Sequence, residues 1–144
     1  MAGRTRRFSV ASMAKTYATP PSLDDLAVLA EQALAGIPEE LRAHVGNVVL
    51  RVDDFPDEEV ERDMELESPF DLLGLYRGVD LLHKSVSDPR PHVDMIFLYR
   101  RPLLDYWCET GEDLEAVVRH VLIHEIGHHF GLSDDDMARL ERDG

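Results

Sequence analysis

His124, Glu125 and His128 stand in the order His-Glu-Ile-Gly-His, a spacing with a chemical consequence. On a helix of 3.6 residues per turn, positions 124 and 128 lie about 40° apart on one face. Two imidazoles so placed reach one metal ion together. Zinc suits neutral imidazole and asks only for tetrahedral room. Glu125 falls beside such a site without ligating it. From there its carboxylate takes a proton from a water on the metal, whose pKa zinc lowers to roughly 7. It then passes the proton to a leaving amine. The chemistry expected of the pattern is hydrolysis with Zn2+ as cofactor.

A third ligand is expected from the residues that follow. After His128 the chain reads His129-Phe130-Gly131-Leu132-Ser133-Asp134. Continued helix would carry Asp134 away from the metal, but a reversal at Gly131, where positive φ is tolerated, brings it back. Asp134 then supplies a carboxylate oxygen and leaves the fourth position to water. The same residue also suits an N-cap for the next helix. Glu141 is the competitor. It lies one helix further on, and the expectation is that the linking turn is too short to fold that helix back across the site without strain.

The other histidines read more plainly. His120 lies on the stripe of His124, one turn earlier, as a polar residue at the mouth of the site or a support for its ligands. His129 points about 100° away from His128 and is not expected to ligate. His44, His83 and His92 have no motif around them and read as surface or loop residues. Gly127 costs a helix about 1 kcal/mol relative to Ala, which implies close approach of another backbone element.

The elements that must position these residues are legible from periodicity and punctuation. Ser22 reads as the N-cap of a first helix, with Asp24 and Asp25 in its first turn and Leu23, Leu26, Ala27, Ala30, Ala33 and Leu34 at helical spacing. Gly36 and Pro38 end it, and a short helical turn follows through Leu41 to Val45. Residues 47–55 read as a strand closed by Pro56, and 58–67 as an acidic, weakly helical surface segment. Residues 72–76 and 79–82 read as two strand pieces around Gly78. Residues 92–99 form the strongest strand, apolar enough to be covered on both faces. Pro102 stops it and opens a short helix to Trp107. Residues 114–130 read as a buried helix, since apolar residues cover most of its circumference. Gly131 ends it in a left-handed turn. Residues 134–142 form a final short helix.

Length and charge bound the remaining possibilities. The chain has 144 residues, enough for one domain, and 44% of them are apolar. No apolar run approaches the roughly 20 residues that span a bilayer, so no membrane association is expected. A formal net charge of −14 argues against nucleic acid as a partner. No acidic residue precedes Asp24, whereas Arg4, Arg6, Arg7 and Lys15 do. Residues 1–21 therefore read as a flexible N-terminal extension, with a targeting peptide as the sharper alternative, and residues 22–144 as a single domain. Cys108 is the only cysteine, which rules out an intrachain disulfide and suits a reducing, cytoplasmic setting. It reads as a small core residue beside Trp107.

The run HEIGHHFGLSD at 124–134 resembles the extended zinc motif of the small bacterial zincin-like metallopeptidases, the mini-zincins, with Asp in third place. Val52-Asp53-Asp54-Phe55-Pro56, Leu73-Gly74-Leu75-Tyr76-Arg77-Gly78 and Ile96-Phe97-Leu98-Tyr99-Arg100-Arg101-Pro102 extend the resemblance over most of residues 24–142. The resemblance implies an α+β fold, a small mixed sheet backed by the zinc helix. It implies His124, His128 and Asp134 as metal ligands and Glu125 as the catalytic base. Metzincins share the third-ligand spacing but carry a Met-turn well downstream, and Met137 stands too close to Asp134 to serve as one.

The function expected is zinc-dependent hydrolysis of a peptide bond in a peptide or protein substrate. In zincins an extended substrate pairs with an edge strand above the helix. Residues 73–76 are the better candidate edge, because 96–99 are too apolar for one. Tyr76, Tyr99, His120 and Arg77 all stand as candidates to stabilise an oxyanion. The alternative is a non-catalytic, zinc-stabilised peptide-binding or interaction module. A structural zinc would normally take four protein ligands, and only three can be named here.

Overall fold

The computed structural model describes residues 17–80 and 92–143. Ser22 begins α1 (Leu23–Ala35) as the sequence leads one to expect. Its hydroxyl accepts the Asp25 N–H at 3.0 Å while its own N–H donates to the Asp25 carboxylate at 2.9 Å, closing a reciprocal cap. Helix α1 buries Leu26, Leu29, Ala30 and Ala33. A single turn, α2 (Glu39–Arg42), follows Pro38 and precedes β1 (Val48–Asp53). Asp57 caps α3 (Glu58–Asp63) by accepting the Val60 N–H at 2.9 Å. A 3-10 turn (Pro69–Asp71) leads into β2 (Gly74–Asp80). Then come β3 (His92–Tyr99), α4 (Arg100–Thr110), α5 (Leu114–His129) and α6 (Asp134–Asp143).

The three strands form one mixed sheet in the order β1-β3-β2. β1 runs parallel to β3, with Val52 opposite Leu98, and β2 runs antiparallel to it, with Tyr76 opposite Ile96. β3 is therefore central, as its apolar run requires. Ile96 and Leu98 point into the main core beneath α1 and α5, and Tyr99 packs on the other face with Val60 and Leu75. α5 is the axis of the core. Val117, Val118, Val121, Leu122, Ile123 and Ile126 are all buried, which accounts for its apolar circumference. With six helices and a small mixed sheet among the described residues, the architecture is α+β.

Several boundaries differ from the sequence reading for physical reasons. Gly78 does not break β2. It pairs with Asp94, because the β3 ladder holds the strand through a residue whose own β preference is weak. Pro102 does not begin α4. It sits inside the first turn, where a missing N–H leaves no hydrogen bond unmade. Cys108 is exposed rather than part of the core. Helix α4 buries Pro102 and Leu103, and position 108 lies about 140° around from Leu103. Leu81, Leu82, His83 and residues 1–16 of the N-terminal extension lie outside the described residues. Within that extension, the Tyr17 ring sits edge-on to Trp107 at 5.7 Å, and Arg100 donates to the Pro21 carbonyl at 2.7 Å. Among the described residues no helix is long and apolar enough to cross a membrane.

Candidate metal centre

Asp113 starts α5 by accepting the Ala116 N–H at 3.2 Å, and the helix carries His120, His124 and His128 at successive four-residue steps. It ends in a full Schellman closure. Gly131 adopts φ +76°, its N–H donates to the His128 carbonyl at 3.2 Å, and the Leu132 N–H donates to the Gly127 carbonyl at 2.8 Å. The chain thus reverses in a single tight turn. Ser133 caps α6 through its hydroxyl, which accepts the Asp136 N–H at 3.0 Å, so Asp134 is the first residue of the helix rather than its cap.

Helix α6 folds back along α5, and three contacts hold it there. Met137 is fully buried against Gly127, where a Cβ would lie 2.7 Å from the Met137 Cγ. The close neighbour at Gly127 is therefore a side chain, not the backbone element expected. The Arg119 guanidinium donates to the carbonyls of Glu141 at 2.9 Å and Leu140 at 3.4 Å. Arg139 forms a two-pronged pair with Glu40 at 3.2 and 2.8 Å, tying α6 to α2.

This docking delivers Glu141 to the histidine stripe. Its Oε1 lies 2.6 Å from His124 Nε2 and its Oε2 lies 2.8 Å from His120 Nδ1. An ionised carboxylate only accepts, so both ring nitrogens donate. Burial alone would raise the Glu141 carboxyl, but the hydrogen bonds from His120 and His124, and then their charges, lower it below its ordinary value. The expectation that the linking turn is too short for Glu141 is corrected: a left-handed Gly131 followed at once by a new helix is enough.

The residues expected from sequence are placed as follows. The His124 and His128 rings stand 5.8 Å apart at 77°, with His128 exposed. Asp134 is exposed at the start of α6. Among the described residues, the group of donors that could hold a metal is His120, His124 and Glu141, their ligand atoms all within 4.8 Å of one another. His128 and Asp134 are not in it. Glu125 is half-buried beside His128. Burial raises its carboxyl above the ordinary value, opposed by the His128 charge and by a hydrogen bond from the Tyr76 N–H. His129 turns away and stacks on Tyr76 at 4.0 Å, and His44 stacks on Phe130 at 5.3 Å.

Residues 45–143 match the zincin-like metallopeptidase family. The chain belongs to that family. Among solved structures, this zincin-like chain is similar to a conserved hypothetical protein from Thermo thermophilus. The identity is 22%, the TM-score 0.48, and the match covers 76% of this chain and 94% of that one. No curated protein matches the chain significantly.

The zincin-like family implies a divalent metal, typically zinc, and the donors fit one. Two imidazoles and a carboxylate are a suitable set for zinc. Ligand atoms on a tetrahedral zinc with bonds near 2.0–2.1 Å lie about 3.3 Å apart. The 2.6 Å between His124 Nε2 and Glu141 Oε1 is a hydrogen bond that would open by about 0.7 Å to admit the ion. His120 stands on the expected stripe, and its partner Glu141 comes from a helix that no local pattern ties to it. The available signal was its four-residue step from His124, which the position of Glu141 turns into a contact.

Proposed function

We propose that this zincin-like chain is a zinc-dependent peptidase in which Glu125 is the proton acceptor and the metal is held by His124, His128 and a carboxylate of α6. The observation that carries this reading is the arrival of Glu141 on the histidine stripe, its Oε1 2.6 Å from His124 Nε2, with Glu125 the next residue along the helix. Distance favours Glu141 as the carboxylate. The spacing of the extended motif favours Asp134.

Zinc in this position would act as a Lewis acid on the scissile carbonyl and the attacking water. The protein's own residues do the rest. The Glu125 carboxyl, raised by burial, is a better proton acceptor than an exposed one, and the Tyr76 N–H orients it. The Tyr99 N–H donates to the Leu73 carbonyl, so odd positions of β2 face β3 and the main chain of Gly74, Tyr76 and Gly78 faces outward, the Tyr76 N–H being taken by Glu125. An extended substrate adds to that edge beside Glu125 by main-chain hydrogen bonds. This is the edge the sequence favours. Of the oxyanion candidates, Tyr76 donates to Asp94 at 2.8 Å, Arg77 pairs with Asp63 at 3.4 Å and His120 is held by Glu141.

The test is Glu125→Gln. The variant should keep its zinc and lose about 10² to 10⁴ of the wild-type rate on an unstructured protein such as casein. Equal rates in both would remove Glu125 from the chemistry. A second reading is a non-catalytic module in which the ion only stabilises the fold. The donor group of His120, His124 and Glu141 favours it, because it leaves out His128 and Asp134, two of the three ligands the motif implies. Full zinc loading with no turnover of any peptide would select that reading.

A further inference from the structure

The Glu141 carboxylate is gripped at both oxygens, and the two grips differ in kind. Oε1 faces His124 Nε2, whereas Oε2 is held by His120 Nδ1 at 2.8 Å. We infer that His120 is a positioning residue: it fixes the Oε2 atom of Glu141 so that Oε1 alone is presented to the metal at His124. The inference rests on the reading of Glu141 as the third ligand.

Ring geometry separates this role from direct ligation by His120. Two imidazoles on one tetrahedral ion fan out from it, with centroids about 5 Å apart. The His120 and His124 rings lie 4.1 Å apart and are tilted by 35°, closer together than two imidazoles fanned around one ion. His124 and His128, at 5.8 Å and 77°, are closer to the fanned one. The neighbour of His120 supports the same reading. Arg119 holds the Glu141 carbonyl, so consecutive residues of α5 grip the main chain and the side chain of one residue on α6. A hydrogen bond to the distal oxygen of a ligating carboxylate sets its orientation and is worth about 10- to 100-fold in metal affinity. The His120 side chain is 44% exposed, so its replacement leaves the core intact.

The experiment compares zinc affinity, read by competition with a chromophoric chelator, and the Co2+ absorption spectrum. The proteins are wild type, His120→Ala, His120→Asn and Glu141→Ala. The Asn amide places a donor close to the position of the imidazole Nδ1 but makes no bond to zinc through nitrogen. Glu141→Ala should lose the most affinity and His120→Ala about 10- to 100-fold. His120→Asn should recover most of that loss with a wild-type Co2+ spectrum. Thermal unfolding of the metal-free proteins controls for a merely structural effect, under which the zinc affinities of His120→Ala and His120→Asn would fall in step with their melting temperatures. If Glu141→Ala binds zinc poorly and His120→Ala binds normally, the positioning role falls while the ligand reading stands. If His120→Asn is no better than His120→Ala and its Co2+ spectrum changes, His120 is itself a ligand and the inference is overturned. If Glu141→Ala binds zinc normally, the reading of Glu141 as ligand fails and the inference fails with it.

Discussion

Gly127 of α5 and Met137 of α6 meet with no room for a side chain between them: a Cβ at position 127 would overlap the Met137 Sδ and lie 2.7 Å from its Cγ. Met137 is fully buried, so it cannot swing into solvent to make room. Gly127→Ala therefore sets a helix-propensity gain of about 1 kcal/mol against an overpacking cost of about 1–3 kcal/mol. The expected outcome is a net loss of stability in chemical denaturation. A double-mutant cycle identifies the cause. In a Met137→Ala background the same Gly127→Ala change should be neutral or stabilising. Equal destabilisation in both backgrounds would show that Met137 is not what excludes the side chain.

Metal binding should be visible as stability. Purified protein is expected to carry close to one zinc per chain. Chelation should lower the melting temperature, because an ion that binds only the folded state stabilises it by mass action. Absence of zinc by elemental analysis, with no thermal shift on adding it, would contradict the metal reading at its root.

The parts of the fold legible in sequence are those set by local pattern. The reversal at Gly131 needs only one residue with positive φ at the end of a buried helix, and β3 needs only its apolar run between Pro91 and Pro102. The HExxH spacing places His124 and His128 on one face for the same local reason. What pattern could not reach was the docking of α6. Glu141 meets His124 because Met137 fits Gly127 and because Arg119 finds the last carbonyls of α6, contacts between residues 10 to 22 positions apart. The Gly127 signal was present, but a glycine announces close approach without naming the partner. Cys108 was misplaced because its neighbour Trp107 packs on the core while the helix turns the thiol outward.

Alkaline pH should test the Tyr76 anchor. Its hydroxyl donates to Asp94 at 2.8 Å, and burial, followed by that hydrogen bond and the Asp94 charge, raises its pKa. Tyr99 is pushed up to about 12, first by burial and then by Asp57 and Asp53. A tyrosine whose folded pKa is raised contributes stability that is complete below its unfolded value near 10 and is lost as pH climbs toward the folded one. Stability should therefore fall from about pH 10 upward, with part of the tyrosinate absorbance appearing only as the protein unfolds. Tyr76→Phe should cost about 1 kcal/mol at neutral pH and flatten this alkaline loss. Ionisation of all four tyrosines together near the free value, in protein that is still folded, would show that neither hydroxyl is held as described.

The two candidate carboxylates for the third ligand sit at opposite ends of α6. Asp134 opens α6 beside the turn, and Glu141 lies near its far end against His120 and His124. Asp134 would approach an ion on His124 and His128 from the turn, and Glu141 would approach it from the His124 side. Glu141→Ala should cut zinc affinity severely if distance decides, and Asp134→Ala should do so if motif spacing decides. Each single variant has a distinct secondary signature. Removing Glu141 leaves His120 and His124 without their acceptor, so the metal-free protein should also lose about 1.5–3 kcal/mol, the range for hydrogen bonds to a charged group. Removing Asp134 deletes one exposed acidic side chain from the first turn of α6, with a cost below about 1 kcal/mol in metal-free protein. Zinc affinity lost with Asp134→Ala and kept with Glu141→Ala would make Asp134 the ligand and leave Glu141 as a hydrogen-bond acceptor for His120 and His124.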